Sequence, residues 1–526
     1  MLTRLIIPLI ASASALAASD QPNEIRVLSI DLPEAIRLTL AKNFLLAEQS
    51  FTPRIAARKV QSASGKFDPT ISASYSYGLS RQQPSPLDAQ APPISQILTP
   101  TPNSTFQTST QSASTSLSGL LPTGTSYDLG PSTTWDADDR RDSPFTRYNS
   151  FLGLSITQPL LRNFGTDVNL AEIRIARADY ATSAWQLRST AINLVTECIK
   201  TYSELCFAIE NLAVELRSRQ LSATLLSDNI KRAEIGVMAP LDVLQARADL
   251  AAREERVLVA TRALADYQNF LKQLITDETA GLLDLQIQPS PPKLPPLSPS
   301  SRQQDFAKAF QLRPDYRQAI LEIQKRKINL AFARNQALPR LDLETSLGLN
   351  GLDSSLANSL ARTISNNPQN LYFDISATLS LPIPNNSATA ETHAARLSVA
   401  QALISLKRLE QQILVEADNA AGQIETTAKR IQAASLAREL AQKSLEAAQA
   451  RLASGTTTTF EVLQLQRDLA NAEASELRAR ADHIIALAEF AKATGTTLER
   501  FQITFDPTPS TQKKQPRNQK LPKPNQ

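Results

Sequence analysis

The stretch RLASGTTTTFEVLQLQRDLA, residues 451–470, places one glycine and four threonines between two long runs rich in alanine and leucine. A similar stretch, AEIGVMAPLDVLQARADLA, occupies residues 233–251. Aligning Gly236 with Gly455 also aligns two copies of Val-Leu-Gln and two of Asp-Leu-Ala. Because glycine readily adopts the left-handed conformation that ends a helix, each stretch predicts a turn between two antiparallel helices. Gly236 and Gly455 are the predicted turn residues.

The runs on either side of these turns predict very long helices. We expect them at about 167–234, 240–276, 387–453 and 459–493. The first helix of each pair would measure about 100 Å at 1.5 Å per residue, too long for the core of a globular domain. In the last helix, leucine, isoleucine and alanine recur at heptad spacing, which is typical of a coiled coil. Pro240 suits the first turn of its helix, and Thr459 is the predicted N-cap of the other.

The same order of elements, helix, strand, strand, helix and helix, occurs in both halves of the chain, which indicates a tandem duplication. The first half carries an insert at about 81–145. Its sequence is compatible with a further strand pair and with extracellular loops. The predicted organisation is a signal peptide at 1–17, a first repeat at 18–285, a Pro-rich linker at 286–301, a second repeat at 302–504 and a disordered basic tail at 505–526.

Four segments alternate between apolar and polar residues, near 69–79, 152–160, 341–349 and 373–381. Strands of about 9–11 residues with one apolar face suit a membrane barrel, in which Asp342, Glu344 and Asp374 would face the lumen. A soluble sandwich has strands that alternate in the same way and is the alternative. Four strands are too few to enclose a lumen, so the barrel interpretation requires several copies of the chain.

The amino end predicts export. Arg4, a short apolar run and the small-x-small site Ala15-Leu16-Ala17 are typical of a cleaved signal peptide, Met1–Ala17. The alternative, an uncleaved membrane anchor, is disfavoured because the apolar run is much shorter than the roughly 20 residues that a spanning helix needs.

Composition and motifs disfavour several classes of function. The formal net charge of +4 derives from the basic tail, so no basic face for nucleic acid is expected on the body. Cys198 and Cys206 are too far apart along one helix for a disulfide and are expected to pack as small residues. His393 and His483 lack neighbours at metal-ligand spacing. No phosphate loop or catalytic motif is present, so we expect no enzyme activity, metal or cofactor.

The two repeats, SITQPLLRNFG at the end of one strand, and RLASGTTTTFEVLQLQRDLANAE at the second turn together resemble the TolC-like outer-membrane efflux family. The resemblance implies a mainly α fold with a membrane β-barrel. Three copies, each with four strands, would form a homotrimer with a 12-stranded barrel in outer-membrane lipid and a periplasmic tunnel of helices. It also implies a periplasmic adaptor and an inner-membrane pump as partners, and a cell outer membrane location with a large periplasmic portion.

In this family the two helical turns form the periplasmic entrance. Glu461 lies where the family can carry an entrance carboxylate, and Asp242 is its counterpart in the first repeat. Rings of such carboxylates would favour cations. Both residues also suit the first turn of a helix, because the helix dipole favours acids there. Leu452 and Thr457 replace a tyrosine and an arginine that hold TolC shut, and Gln464 stands where a second acid could sit, so a charged lock of that kind is not expected.

The sequence therefore predicts a passive exit duct for tripartite efflux or type I secretion. The alternative is a non-conducting periplasmic coiled-coil spacer or a surface-attachment protein with soluble strands. The four amphipathic strands favour the duct.

Overall fold

The computed structural model describes residues 26–82, 106–138, 145–236, 238–277, 284–292, 301–365 and 367–503. The chain is mainly helical and carries one large sheet, as the sequence predicts. The predicted signal peptide, the basic tail and parts of the insert at 81–145 lie outside the described residues.

The helices and strands are numbered in chain order. The helices are α1 Leu32–Lys42, α2 Phe44–Ser64, α3 Thr166–Asn169, α4 Ala171–Glu234, α5 Pro240–Ile275, α6 Arg302–Leu312, α7 Pro314–Gln336, α8 Leu356–Ile364, α9 Asn386–Ala453, α10 Thr459–Ala493 and α11 Thr497–Arg500. The strands are β1 Arg26–Ile30, β2 Thr70–Gln82, β3 Phe106–Leu120, β4 Ser126–Asp138, β5 Phe145–Pro159, β6 Leu285–Pro289, β7 Arg340–Asp353 and β8 Leu371–Ser380.

The chain forms two compact units. The helical unit consists of the described residues within 1–47, 191–300 and 418–503, and the strand unit consists of those within 48–190 and 301–417. Helices α4 and α9 contain 64 and 68 residues, which correspond to about 96 and 102 Å at 1.5 Å per residue. The predicted start at residue 167 is slightly early, because the short α3 precedes α4 and a turn at Leu170 separates them.

In the helical unit, α10 contacts helices from both halves of the chain. Arg430 of α9 bonds Asp482 at 2.7 Å, and Arg478 bonds Glu204 of α4 at 2.8 Å. The predicted seam of α10 is buried at several positions, including Leu463, Ala470, Ala481, Ala488 and Ala491. Alanine leaves little side-chain volume between two helices, so α10 approaches its neighbours closely.

The predicted linker at 286–301 begins too early, because residues 285–289 form strand β6. This strand pairs with β1 in parallel, with Leu28 opposite Ile287. The buried Tyr202 hydroxyl of α4 lies 2.7 Å from the Ser290 carbonyl and 3.0 Å from that of Ile30, so it can donate to either. A buried tyrosine hydroxyl usually has a hydrogen-bond partner. Here that hydrogen bond holds the strand pair β1–β6 against α4.

The strand unit contains six antiparallel strands in the order β2-β3-β4-β5-β7-β8. The prediction of four strands per chain is therefore wrong. The insert contributes the hairpin β3–β4, whose turn includes Gly124 with a φ of 95°. Serine and threonine occupy both faces of β3, so the alternation of apolar and polar residues that revealed the other strands is weak there.

The two faces of this sheet differ sharply. The register places Ile71, Leu117, Leu129, Leu154 and Leu347 in one row on the same side, which we call the apolar face. Several of its side chains are widely exposed, such as Ile71 at 76% and Phe373 at 61%. The opposite, polar face carries three serine pairs between β2 and β3, joined at 3.0, 2.8 and 2.6 Å: Ser72–Ser116, Ser74–Ser114 and Ser76–Ser112.

Candidate functional site: two helical turns and a two-faced sheet

The second helical turn is built around Gly455, whose φ of 77° lies in the left-handed region. The Gly455 N–H donates to Leu452 O at 3.2 Å, and the Thr456 N–H donates to Arg451 O at 2.9 Å. These two bonds form a Schellman motif, which satisfies carbonyls at the end of α9. The N-cap of α10 is Thr458, whose hydroxyl accepts from the Glu461 N–H at 3.4 Å. The predicted cap, Thr459, is wrong by one residue; it lies within the helix and is buried.

Glu461 is held within its own hairpin. Its two carboxylate oxygens accept hydrogen bonds from Arg451 of α9 and from the Thr457 hydroxyl. The hydrogen bond from Thr457, together with the charge of Arg451, lowers the pKa of Glu461. The carboxylate is therefore ionised but paired with a cation of the same turn, a partner that the sequence did not reveal.

The other two residues singled out at this turn lie in different surroundings. Leu452 packs against a small core formed by Leu445, Ala448 and Val462. Leu225 of α4 packs against the same core, so the first hairpin contributes to the second turn. Gln464 is exposed on α10.

The first turn has a similar backbone and different side chains. Gly236 has a φ of 76°, and its N–H donates to Ala233 O at 3.0 Å. Helix α5 begins with Pro240, and its N-cap, Ala239, provides no side-chain hydrogen bond. Asp242 lies in the first turn of α5, and its N–H donates to Ala239 O at 3.1 Å. Ile235 is 74% exposed here.

A buried charged cluster joins the two hairpins. Asp249 of α5 accepts from Arg467 of α10 at 2.7 Å and from the Ser222 hydroxyl of α4 at 2.7 Å. Arg253, one helical turn further along α5, lies 3.5 Å from the same carboxylate. Burial raises the pKa of Asp249, but the bonds from Ser222 and Arg467 and the charges of both arginines outweigh this, so the pKa lies below its ordinary value. Sequence reasoning missed this cluster because Asp249 and Arg467 are 218 residues apart.

The three predicted strand carboxylates, Asp342, Glu344 and Asp374, all lie on the polar face of the sheet. Asp342 pairs with Arg340 at 2.5 Å, while Glu344 and Asp374 are exposed. The hairpin β3–β4, which the sequence left open, adds more acids to this face. Asp128 and Asp136 of β4 lie on it, and Asp136 lies 3.3 Å from Arg147 of β5. The polar face is therefore predominantly acidic.

Neither a membrane-spanning helix nor a metal-binding cluster occurs among the described residues. No helix among them has both the length and the apolar character that crossing a membrane requires. No group of three or more His, Cys, Asp or Glu side chains in the same residues could hold a metal ion.

Residues 307–496 match a family model described as outer membrane efflux protein. Over these residues the chain is similar to this family. The matched segment contains the second turn, with Gly455 and Glu461, and the strands β7 and β8. No curated protein matches the chain.

Several solved structures resemble the chain in fold over most of its length. It resembles a membrane protein from Pseudomonas aeruginosa with a TM-score of 0.64 and 17% identity, over 88% of this chain and 93% of that one. The CmeC outer membrane channel of Campylobacter jejuni aligns with a TM-score of 0.63 and 16% identity, over 90% of this chain and 87% of that one. The open state of the MtrE outer membrane channel of Neisseria gonorrhoeae aligns with a TM-score of 0.59 and 16% identity, over 89% of this chain and 90% of that one. At these identities the likeness concerns the fold.

Proposed function

We propose that this protein is a passive exit duct in the outer membrane, which receives its cargo from a periplasmic adaptor and an inner-membrane pump. The observation that carries the proposal is the sheet of the strand unit, with an exposed apolar face and an acidic polar face. A large exposed apolar surface is unstable in water but suits lipid. The apolar positions from Ile71 to Leu79 span about 27 Å at 3.4 Å per residue, close to the roughly 25 Å band of outer-membrane barrels.

The edges of the sheet support assembly with further copies. Within the described strands, β2 and β8 each pair on one side only. Open edges in lipid would leave backbone groups without partners, so the sheet must close. Strand directions alternate across the sheet, so β8 of one copy would meet β2 of the next in antiparallel orientation.

With three copies of six strands, the proposed homotrimer has an 18-stranded barrel, which replaces the 12-stranded barrel implied by the family resemblance. At a strand spacing of about 4.8 Å and a tilt of about 40°, the backbone diameter rises from about 24 to about 36 Å. The long helices would form the periplasmic tunnel, with the turns at Gly236 and Gly455 at its entrance. The carboxylates of the polar face would line the barrel and favour cations.

Cargo movement in this proposal depends on energy from the pump, because the proposed duct has no catalytic role. Export of small molecules and type I secretion of proteins both fit such a duct. Its proposed location is the outer membrane, with the helices in the periplasm.

The test is channel formation in planar bilayers, with polymer exclusion measured separately from each side. We expect ion currents, and we expect polymers to enter the barrel side up to a larger size than the side of the helical turns. Deleting residues 86–140 removes β3 and β4 and leaves β2 and β5 antiparallel, with Ile71 and Leu154 already in one row.

This deletion should lower the polymer cutoff on the barrel side alone, since a barrel with two strands fewer per copy is narrower. A protein that leaves the membrane without detergent and carries no current would contradict the duct and favour the periplasmic spacer. Unchanged cutoffs would contradict only the 18-stranded barrel.

A further inference from the structure

Helix α8 is attached to the sheet in an unusual way. It connects β7 to β8 at the end of these strands that lies away from α7 and α9. Its N-cap is Ser355, whose hydroxyl accepts from the Asn358 N–H at 3.3 Å. It packs on β5 and β7, on the side of the sheet that carries the apolar face.

The polar side of α8 is the side that packs against the strands. Ser359 and Thr363 are 0% and 3% exposed. The Ser359 hydroxyl lies 2.8 Å from Gly351 O and 2.9 Å from the Ser150 hydroxyl. The Thr363 hydroxyl lies 3.2 Å from Ser150 O. Hydroxyl contacts to strand carbonyls thus hold the helix in place, where a water-soluble protein would use apolar contacts.

Gly351 allows this close approach. A Cβ atom at this position would lie 2.1 Å from Ser359 O and 2.3 Å from the Thr363 hydroxyl oxygen. Since any larger side chain would push the helix outward, the short distance between helix and strand depends on this glycine.

Beside its packed side, α8 carries an apolar stripe that the protein covers only in part. Leu356, Leu360 and Ile364 follow one another at a spacing of four residues, so they form one stripe along the helix. They are 45%, 39% and 74% exposed. In a helix in water such a stripe would be buried against the protein.

The position of α8 on the sheet indicates what covers this stripe. Trp135 and Tyr148 lie opposite each other on the apolar face, with ring centroids 6.5 Å apart, and Tyr148 is itself opposite Asp353. Tryptophan and tyrosine prefer the boundary between acyl chains and headgroups. Arg362 of α8 bonds Asp353 at 2.9 Å and remains 62% exposed, as expected of a basic side chain that reaches toward water or headgroups.

We propose that α8 is an interfacial membrane helix, which inserts Leu356, Leu360 and Ile364 among the acyl chains of the leaflet that surrounds the outer rim of the barrel. This inference rests on the proposed duct and adds a lipid-binding element that lies outside the strands. An amphipathic helix lying in the plane of the interface binds lipid through its apolar side. The stripe continues the apolar face of the sheet, so both would meet the same lipid.

Spin labels attached to single introduced cysteines test the proposal in the full chain reconstituted in phospholipid vesicles. Labels replace Ile364 and Leu360 on the stripe, and Asn358, an exposed residue of α8 outside the stripe, serves as the matched control. A label at Ile375, on the apolar face of β8, reports whether the strands themselves lie in lipid. Burial raises the pKa of the native thiols of Cys198 and Cys206 to about 12, so both should remain unlabelled.

Oxygen partitions into lipid, whereas a nickel chelate remains in water, so relaxation by the two agents reports the surroundings of each label. We expect the ratio of oxygen to nickel accessibility to be about tenfold higher at Ile364 and Leu360 than at Asn358. A lipid-like ratio at Ile375 with a water-like ratio at Ile364 would overturn the inference and leave the duct intact.

Low accessibility to both agents at Ile364 would also overturn the inference, because it would mean that protein, such as a second copy of the chain, covers the stripe. A water-like ratio at Ile375 would instead contradict the proposed membrane barrel itself.

Discussion

The two helical turns share a backbone conformation and differ in the way their charges are arranged. Gly236 and Gly455 have φ values of 76° and 77°. At the second turn, Arg451 and Thr457 hold Glu461, and Thr458 caps α10. At the first turn, α5 begins without a side-chain cap, and no ion pair of Asp242 occurs among the described residues.

The difference shows that the duplicated sequence determines the backbone path at both turns, but not the interactions of the charged side chains there. A glycine in the left-handed region is sufficient to end each first helix, whichever side chains follow. The charge presented at each turn depends instead on pairing between side chains. Arg451 pairs with Glu461, whereas its aligned counterpart, Arg232, makes no ion pair with Asp242 among the described residues. The two turns therefore contribute unequally to any entrance that they form.

The largest expected effect concerns the cluster that joins the two hairpins. Replacing Asp249 with Asn leaves Arg253, which is only 2% exposed, beside a neutral group. Removing one partner of a buried ion pair costs about 3–5 kcal/mol of unfolding free energy. Thermal unfolding in detergent should show a clear loss of stability. Glu425→Gln, which breaks the exposed pair with Lys429, is the control and should change nothing measurable. Equal stability of the two variants would contradict a role for the cluster in joining the hairpins.

The same cluster predicts how stability depends on pH. The folded pKa of Asp249 is lowered, so its ionisation stabilises the fold fully above the ordinary pKa of about 3.9. This contribution is lost as the pH falls through the lower folded pKa. Melting temperatures measured between neutral and acidic pH should therefore converge for the wild type and Asp249→Asn at the acidic end. A constant difference between them would show that the charge of Asp249 is not the cause.

Local sequence patterns predict the elements whose stability is local, and they miss contacts between distant segments. The long helices and the turn glycines follow from composition and spacing within a few dozen residues. The link from Asp249 to Arg467 does not, because nothing near either residue marks its partner. Strand β6 was hidden for a related reason, since it is five residues long and its partner β1 lies far away in sequence.

Two further misses have chemical causes. Strand β3 has serine and threonine on both faces, so the alternation that would have decided between a strand pair and loops is weak there. Each of the four consecutive threonines could cap a helix. The backbone conformation of the turn selects Thr458 as the N-cap rather than Thr459.

The third prediction tests whether the two turns have equivalent backbones. Gly236→Ala and Gly455→Ala should each cost about 1 kcal/mol, because an L-residue is strained in the left-handed region. No other atom lies within 4 Å of a Cβ built at either position, so strain alone should act. Both melting temperatures should fall by similar amounts. The control is Gly422→Ala within α9, which also has free space and should stabilise the helix by up to about 1 kcal/mol. A much larger loss at Gly455 would show that the packed core beneath that turn adds a further constraint.

The smallest expected effects concern ion selectivity, and they separate the two turns most directly. Because Glu461 is paired with Arg451, Glu461→Gln should leave an unpaired cation and shift permeability toward anions, whereas Arg451→Gln should shift it toward cations. Each shift in permeability ratio should be about twofold, since salt screens exposed charges. The double variant should return to the wild-type ratio.

Asp242→Asn removes a carboxylate with no ion pair among the described residues, so it should reduce cation preference without any compensating change at Arg451. Reversal potentials in a salt gradient measure all four variants. If Glu461→Gln and Asp242→Asn behave identically, and Arg451→Gln changes nothing, the pairing at the second turn does not persist in the open channel.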